Sequence, residues 1–228
     1  MHKFEPHLEI LPASQQKLWR ELTAVPKEFV LYGDTALALH LGHRESVDFD
    51  FFANRSIDPV KLESKLPFLK GARITQREPN TLSAIVERDG PVNVSFFGVP
   101  AIPRLMPPLV STDNGLQVAS LLDLAGTKAS VVQVRAEPKD YLDIDALLSS
   151  GKVDLPSALA AAERLYGRSF NPESTLKALS YFDDGDLRTL PEEVKSRLVV
   201  AAREVDLEHL PDLDRTFHLR DMDEGLEL

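Results

Sequence analysis

Cysteine is absent from the 228 residues, so disulfides, thiolate nucleophiles and thiolate-held metals are all excluded. No stretch approaches the roughly 18 apolar residues of a membrane helix. The opening "MHKFEPHLEI" has no apolar core and does not read as a secretory signal. These absences fit a cytoplasmic protein, and that is the location expected. Internal repeats and low-complexity segments are missing as well. Positive charge is scarce: 26 Lys and Arg stand against 36 Asp and Glu, a net charge of −10. A field of that sign opposes long-range capture of nucleic acid. Any polyanion would need a local basic cluster to hold it.

What is present is ordinary for a globular chain, with 43% hydrophobic and 27% charged residues. The length suits one large domain, or a core domain with a smaller helical addition. Part of the acid excess lies in the closing "DLDRTFHLRDMDEGLEL", which reads as a polar, weakly ordered tail.

Patterning divides the chain. "EFVLYG" reads as a strand, and "DTALALHLG" as a helix capped by Asp34 or Thr35 and stopped at Gly42. "SVDFDFF" is a second strand, and "SIDPVKLESKL" a helix with Pro59 in its first turn. "ARITQRE" and "TLSAIVER" form a hairpin about "PN", "VNVSFF" is a further strand, and "GVPAIPRLMPPLV" is a loop or edge segment. From Ser120 the pattern is helical: "SLLDLAGTKASVVQVRAE" capped by Ser120, "PKDYLDIDALLSSG", "LPSALAAAERLYGR", "NPESTLKALSYF" and "LPEEVKSRLVVAAREV". The expected organisation is a mixed α/β core over residues 1–118 and a helical domain over 119–228.

Two acids interrupt the second strand. In "VDFDFF", Asp48, Asp50 and Phe52 share one face, while Val47, Phe49 and Phe51 form an apolar face that packs on the core. Two carboxylates on one strand face repel each other, and burying them without a cation is costly. Mg²⁺ resolves the conflict, because it takes one or two carboxylates and fills its shell with water and phosphate oxygens. A polar solvent face on an edge strand explains the same letters. Upstream, Gly33-Asp34-Thr35 joins a strand to a helix start, which turns free N–H groups and the positive end of the helix dipole toward an anion. A phosphate cradle beside a metal-binding pair outlines a nucleoside triphosphate (NTP) site.

The segment "LYGDTALALHLGHRESVDFDFF" resembles the opening motif of the AbiEii/AbiGii-toxin-like nucleotidyltransferases, a branch of the DNA polymerase β-like superfamily. Gly33, Thr35, Gly42, His43, Arg44, Ser46, Asp48, Phe49, Asp50 and Phe51 fall in register. A second stretch, "LLDLAGTKASVVQVRAEPKDYLDIDALL", is similar to the family's Lys…Arg…Lys-Asp-x-x-Asp segment. The resemblance implies an α+β nucleotidyltransferase fold, with a small mixed sheet flanked by helices and a helical half closing over the cleft. It implies Mg²⁺ and NTP as ligands. Asp48 and Asp50 would hold the metal and, with Lys139 and Asp143, serve catalysis. Gly33, Asp34, Thr35, Arg44, Lys128 and Asp140 would bind the nucleotide. The implied partners are an RNA acceptor such as a tRNA 3′ end, or a protein acceptor, and an antitoxin protein; no membrane is implied.

Two positions depart from the family pattern. Asp34 replaces a small residue, placing an acid where phosphate would lie. Ser95, in "VNVSFF", stands where members carry a third carboxylate, and a serine is a weaker Mg²⁺ ligand. Asn93 and Ser95 keep the face polar but uncharged, and Glu87 is the nearest acid in sequence. This points to an alternative: a catalytically impaired nucleotide- or partner-binding module of the same fold. Among other groups, Lys139 and Asp143 are spaced for an ordinary helix ion pair, Lys128 and Arg135 lie seven apart on one helix face, and His43 reads as a structural residue at the turn.

Overall fold

The computed structural model describes residues 2–101 and 103–213. Nearly all of the expected polar tail lies outside the described residues. The chain divides into two compact units, residues 1–124 and 125–228, with the division inside a helix.

The first unit is built on one mixed sheet. Its strands are β1 (Lys3–Phe4), β2 (Val30–Tyr32), β3 (Asp48–Ala53), β4 (Arg73–Glu78), β5 (Thr81–Glu87), β6 (Pro91–Gly98), β7 (Leu109–Ser111) and β8 (Gln117–Val118). They lie in the order β1-β7-β8-β2-β3-β6-β5-β4. β2 and β3 run antiparallel, β3 and β6 parallel, and β4, β5 and β6 form an antiparallel meander. The predicted hairpin about Pro79-Asn80 is present, with Asn80 in the left-handed region at φ 63°.

Alternation sets the two sheet faces. Phe49, Phe51, Leu82, Ala84, Val86, Val92, Val94 and Phe96 are all buried on one side. Trp19 stacks on Phe49 at 6.2 Å between ring centroids, and Phe51 on Phe96 at 5.0 Å. The first unit also holds α1 (Ala13–Trp19), α2 (Gly33–Leu41) and α3 (Pro59–Lys65). α3 is capped as predicted from its Asp-Pro start, the Asp58 carboxylate accepting from the Val60 and Lys61 amides.

Several expectations need correction. Val47 lies before β3 and is 57% exposed, so the buried stripe starts at Phe49. Neither Asp34 nor Thr35 caps α2: the helix begins at Gly33 and its cap position is Tyr32. Gly42 does end it, in the left-handed conformation at φ 63°. The segment around Gln15–Trp19 is helical and was not anticipated, nor were β1 and β8. Strands of two or three residues carry too little periodicity to be seen.

α1 carries a costly side chain. Gln15 is 1% exposed, and neither its amide nitrogen nor its oxygen has a hydrogen-bond partner. A buried amide left unsatisfied loses about 1–3 kcal/mol. Gln15→Met, which conserves length and removes the polar atoms, is expected to raise stability by about 1–2 kcal/mol. Denaturant titration of the variant against the parent checks this.

Of the remaining helices, α4 (Leu121–Val131) crosses the division between the units. Ser120 caps it as predicted, its hydroxyl accepting from the Asp123 amide at 3.0 Å. The Asp123 carboxylate takes the Leu105 and Met106 amides, while burial pushes its pKa up from the ordinary carboxylate range. α4 stops at Val131, short of the predicted end. Val131, Val132 and Val134 are β-branched, and the Gln133 amide is drawn to Asn171 O and Thr175 Oγ1. The second unit continues with α5 (Pro138–Ser149), α6 (Leu155–Tyr166), α7 (Pro172–Ala178) and α8 (Glu192–Glu204). Small side chains on α6, Ala158 and Ala160 to Ala162, are buried, and Gly126 of α4 fits against Ala161, where a Cβ would lie 3.0 Å from its backbone carbon. Arg197 of α8 grips Asp145 of α5 through two bonds of 2.8 and 2.7 Å. Among the described residues, no helix is long and apolar enough to cross a membrane.

Candidate functional site

Asp48 and Asp50 project from the half-exposed face of β3, opposite the buried phenylalanines. Their neighbours follow from register. β2 places Tyr32 beside Asp50, while β6 places Asn93 beside Asp48 and Ser95 beside Asp50. The Asn93 amide donates to Asp48 Oδ1 at 2.9 Å, which orients that carboxylate without neutralising it. Ser95 hydrogen-bonds Ser83 Oγ at 3.1 Å. Glu87 does not replace the missing acid. It pairs with Pro91 in register, two pairs beyond Asn93 and two strands from β3.

The turn from β2 into α2 comes up against the second acid. Gly33 has φ +74°, and a Cβ built there would sit 3.2 Å from Asp50 Oδ2. The missing side chain therefore lets the start of α2 lie beside this carboxylate. Gly33→Ala combines a strained φ with a tight contact and is expected to cost about 1–2 kcal/mol. A thermal melt, run with Mg²⁺ titration, checks the stability loss and any loss of metal affinity.

Thr35 is buried, and its hydroxyl lies between Ser46 Oγ at 2.7 Å and the Asp48 carbonyl. With a single proton, it donates to the carbonyl and accepts from Ser46, fastening α2 to the start of the acid strand. Asp34 forms an ion pair with Arg44 at 3.1 Å, both side chains being about one-fifth exposed. The cation two residues after Gly42 thus offsets the acid that departs from the family pattern. Sequence reasoning had not paired them, because their contact depends on the reversal at Gly42. His40 stacks on Phe4 at 4.4 Å and bonds Ala119 O at 2.8 Å, which makes it a packing residue.

The second unit holds a buried charge network. Lys128 of α4 is 4% exposed, and its Nζ lies 2.7 Å from Asp140 and 2.5 Å from Asp143 of α5, both fully buried. Arg135 grips Asp140 with bonds of 2.7 and 3.0 Å. Lys128 and Arg135 do converge, although not on one helix face: Arg135 lies in the connection after α4 has ended. Lys139 contacts Glu137 at 3.4 Å. Beside this network Tyr141 is buried, its phenol pushed up to about 12 by desolvation and by the negative charges of Asp184 and Asp140.

Comparison with known proteins decides the family. The model of the nucleotidyl transferase AbiEii toxin, type IV toxin–antitoxin system, matches residues 17–228. The chain belongs to the AbiEii toxin family. An uncharacterized protein of Aquifex aeolicus (strain VF5) is 31% identical over 159 residues, 69% of this chain and 75% of that protein. Two solved structures share the nucleotidyltransferase fold. MenT4, a nucleotidyltransferase toxin of Mycobacterium tuberculosis H37Rv, superposes with a TM-score of 0.58 at 16% identity, covering 86% of this chain and 83% of that one. An H. pylori protein provisionally described as a nucleotidyltransferase gives 0.51 at 19% identity, covering 83% and 92%. The AbiEii chain described here is thus an α+β nucleotidyltransferase fold, with its sheet extended to eight strands among the described residues.

Proposed function

We propose that the chain transfers a nucleoside monophosphate from Mg²⁺-bound NTP to an RNA or protein acceptor, as the toxin of a toxin–antitoxin pair. The observation that carries this reading is Asp50 Oδ2 lying 3.2 Å from the position a Gly33 Cβ would take. A helix start that suits phosphate and a pair of hard oxygen donors that suits Mg²⁺ are thereby brought together.

Asp48 and Asp50 are the proposed metal ligands. Gly33, Asp34, Thr35 and Arg44 form or brace the proposed phosphate cradle. Bound Mg²⁺ would neutralise the acids and stabilise the attacking and leaving oxygens. Asn93 keeps Asp48 oriented, and Arg44 offsets Asp34 so that its charge is not added to that of the phosphate. Lys128, Lys139, Asp140 and Asp143 are proposed as a second functional group, within the helical unit.

One observation favours a second reading, an impaired nucleotide-binding module. Ser95 holds the register position beside Asp50, and its hydroxyl bonds Ser83. Incubation with each α-labelled NTP and total tRNA separates the two. Label transfer supports the enzyme. Calorimetric heat with Mg²⁺–NTP but no transfer to RNA or to protein supports the module, and no heat with any of the four nucleotides removes both.

A further inference from the structure

The segment from Arg55 to Arg77 holds six cations against two acids, in a chain of net charge −10. Three of these cations are taken: Arg55 by Glu28, Lys61 by Asp58 and Arg77 by Glu63. Lys65, Lys70 and Arg73 have no ion-pair partner among the described residues.

Strand register shows where Arg73 faces. Asp48 pairs with Asn93, Asn93 with Ile85, and Ile85 with Arg73. Cross-strand partners share a face, so these four residues form a row across the open side of the sheet, from the first acid to the free edge. A β-bulge between Ile74 and Gln76 keeps Gln76 on that face too, opposite Ser83. The neighbouring rows end differently. The row through Asp50, Ser95 and Ser83 ends at neutral Gln76, and the row through Phe52, Phe97 and Thr81 ends at Glu78. Only the Asp48 row ends in a cation. Asn93 and Arg73 are exposed and Ile85 is half-buried, so the row is open to a ligand. Three strand spacings of about 4.8 Å put Arg73 roughly 14 Å from Asp48, the span of a few nucleotides. Glu87 is the nearest acid on this face by register, diagonal to Arg73.

We propose that an RNA acceptor lays its phosphodiester backbone across the open sheet face along the row Asp48–Asn93–Ile85–Arg73, anchored at the edge by Arg73 and by Lys70 just before β4. The proposal rests on the preceding reading, in which the acceptor's end is attacked at the acid pair. It names the anchor that a chain of overall negative charge needs. Phosphate contacts position a nucleic acid without reading its sequence, so the anchor sets how the strand enters and leaves base choice to other groups.

The test uses the full chain and fluorescein-labelled total tRNA, titrated by anisotropy over a range of salt. Lys70→Glu with Arg73→Glu is compared with Lys152→Glu plus Lys177→Glu, two exposed cations of the helical unit. The first pair is expected to weaken binding at least tenfold. It should also flatten the slope of log affinity against log salt by about 1.4–1.8, or 0.7–0.9 per lost phosphate contact. Mg²⁺–NTP heat should be unchanged, and the second pair should stay within about twofold of the parent by the same electrostatic reasoning. Equal loss in both pairs, or an unchanged slope in the first, overturns the proposal. Label transfer to protein by a chain that binds no tRNA also overturns it while sparing the nucleotidyltransferase reading. Absence of Mg²⁺–NTP heat overturns that reading instead, and this one with it.

Discussion

Asp48→Asn is expected to abolish nucleotide transfer while leaving the fold intact. The substitution keeps an acceptor oxygen for the Asn93 amide, which donates to Asp48 Oδ1 at 2.9 Å. It removes one of two like charges on a single strand face. Losing one of the two proposed metal ligands is expected to forfeit several kcal/mol of transition-state stabilisation, which is on the order of a 10³-fold fall in rate. The melting temperature without metal should stay within about 4 °C, since relief of repulsion and loss of a charge-assisted bond are each worth no more than about 1 kcal/mol. Asp50→Asn should act alike on rate. A labelled-NTP transfer assay with a parallel thermal melt reads both effects. A variant that keeps its activity would remove the acid pair from the chemistry.

Lys128→Met should have the largest effect on stability. It withdraws an ammonium from two carboxylates that are fully buried, at 2.7 and 2.5 Å. Breaking a buried pair from one side costs about 3–5 kcal/mol, a large share of the roughly 5–15 kcal/mol that holds a domain together. Arg135 still serves Asp140, while Asp143 loses the ammonium at 2.5 Å. Adding Asp143→Asn to Lys128→Met should therefore restore a substantial part of the loss, and a double-mutant cycle from urea titrations measures that coupling. Additive effects would show that the ammonium and Asp143 act independently.

The acid strand, the glycine turn and the order of the helices after α1 were legible from sequence, because each rests on a local pattern. Alternation about Phe49 and Phe51 revealed the face of Asp48 and Asp50, and Gly42 announced the end of α2. What stayed hidden was set by partners distant in the chain. Val47 looked buried by alternation, yet β3 does not begin until Asp48. Thr35 looked like a cap, but its hydroxyl is committed to Ser46 and Asp48. The Arg44–Asp34 pair depends on the chain reversal at Gly42, and the Asn93 bond to Asp48 and the row ending at Arg73 depend on strand register. Hydrophobic period alone does not report register between strands joined by long connections.

The parallel joint between β3 and β6 has a consequence for the birth of the protein. Asp48 and Asn93 are 45 residues apart in the chain, and the β4–β5 hairpin must be spun out between them. Contacts at such separation form late, after the loop-closure cost has been met. A chain growing on the ribosome therefore exposes its acid strand well before the neighbour that steadies it has been made. Asp48 therefore stays without its Asn93 hydrogen bond until synthesis has passed β6.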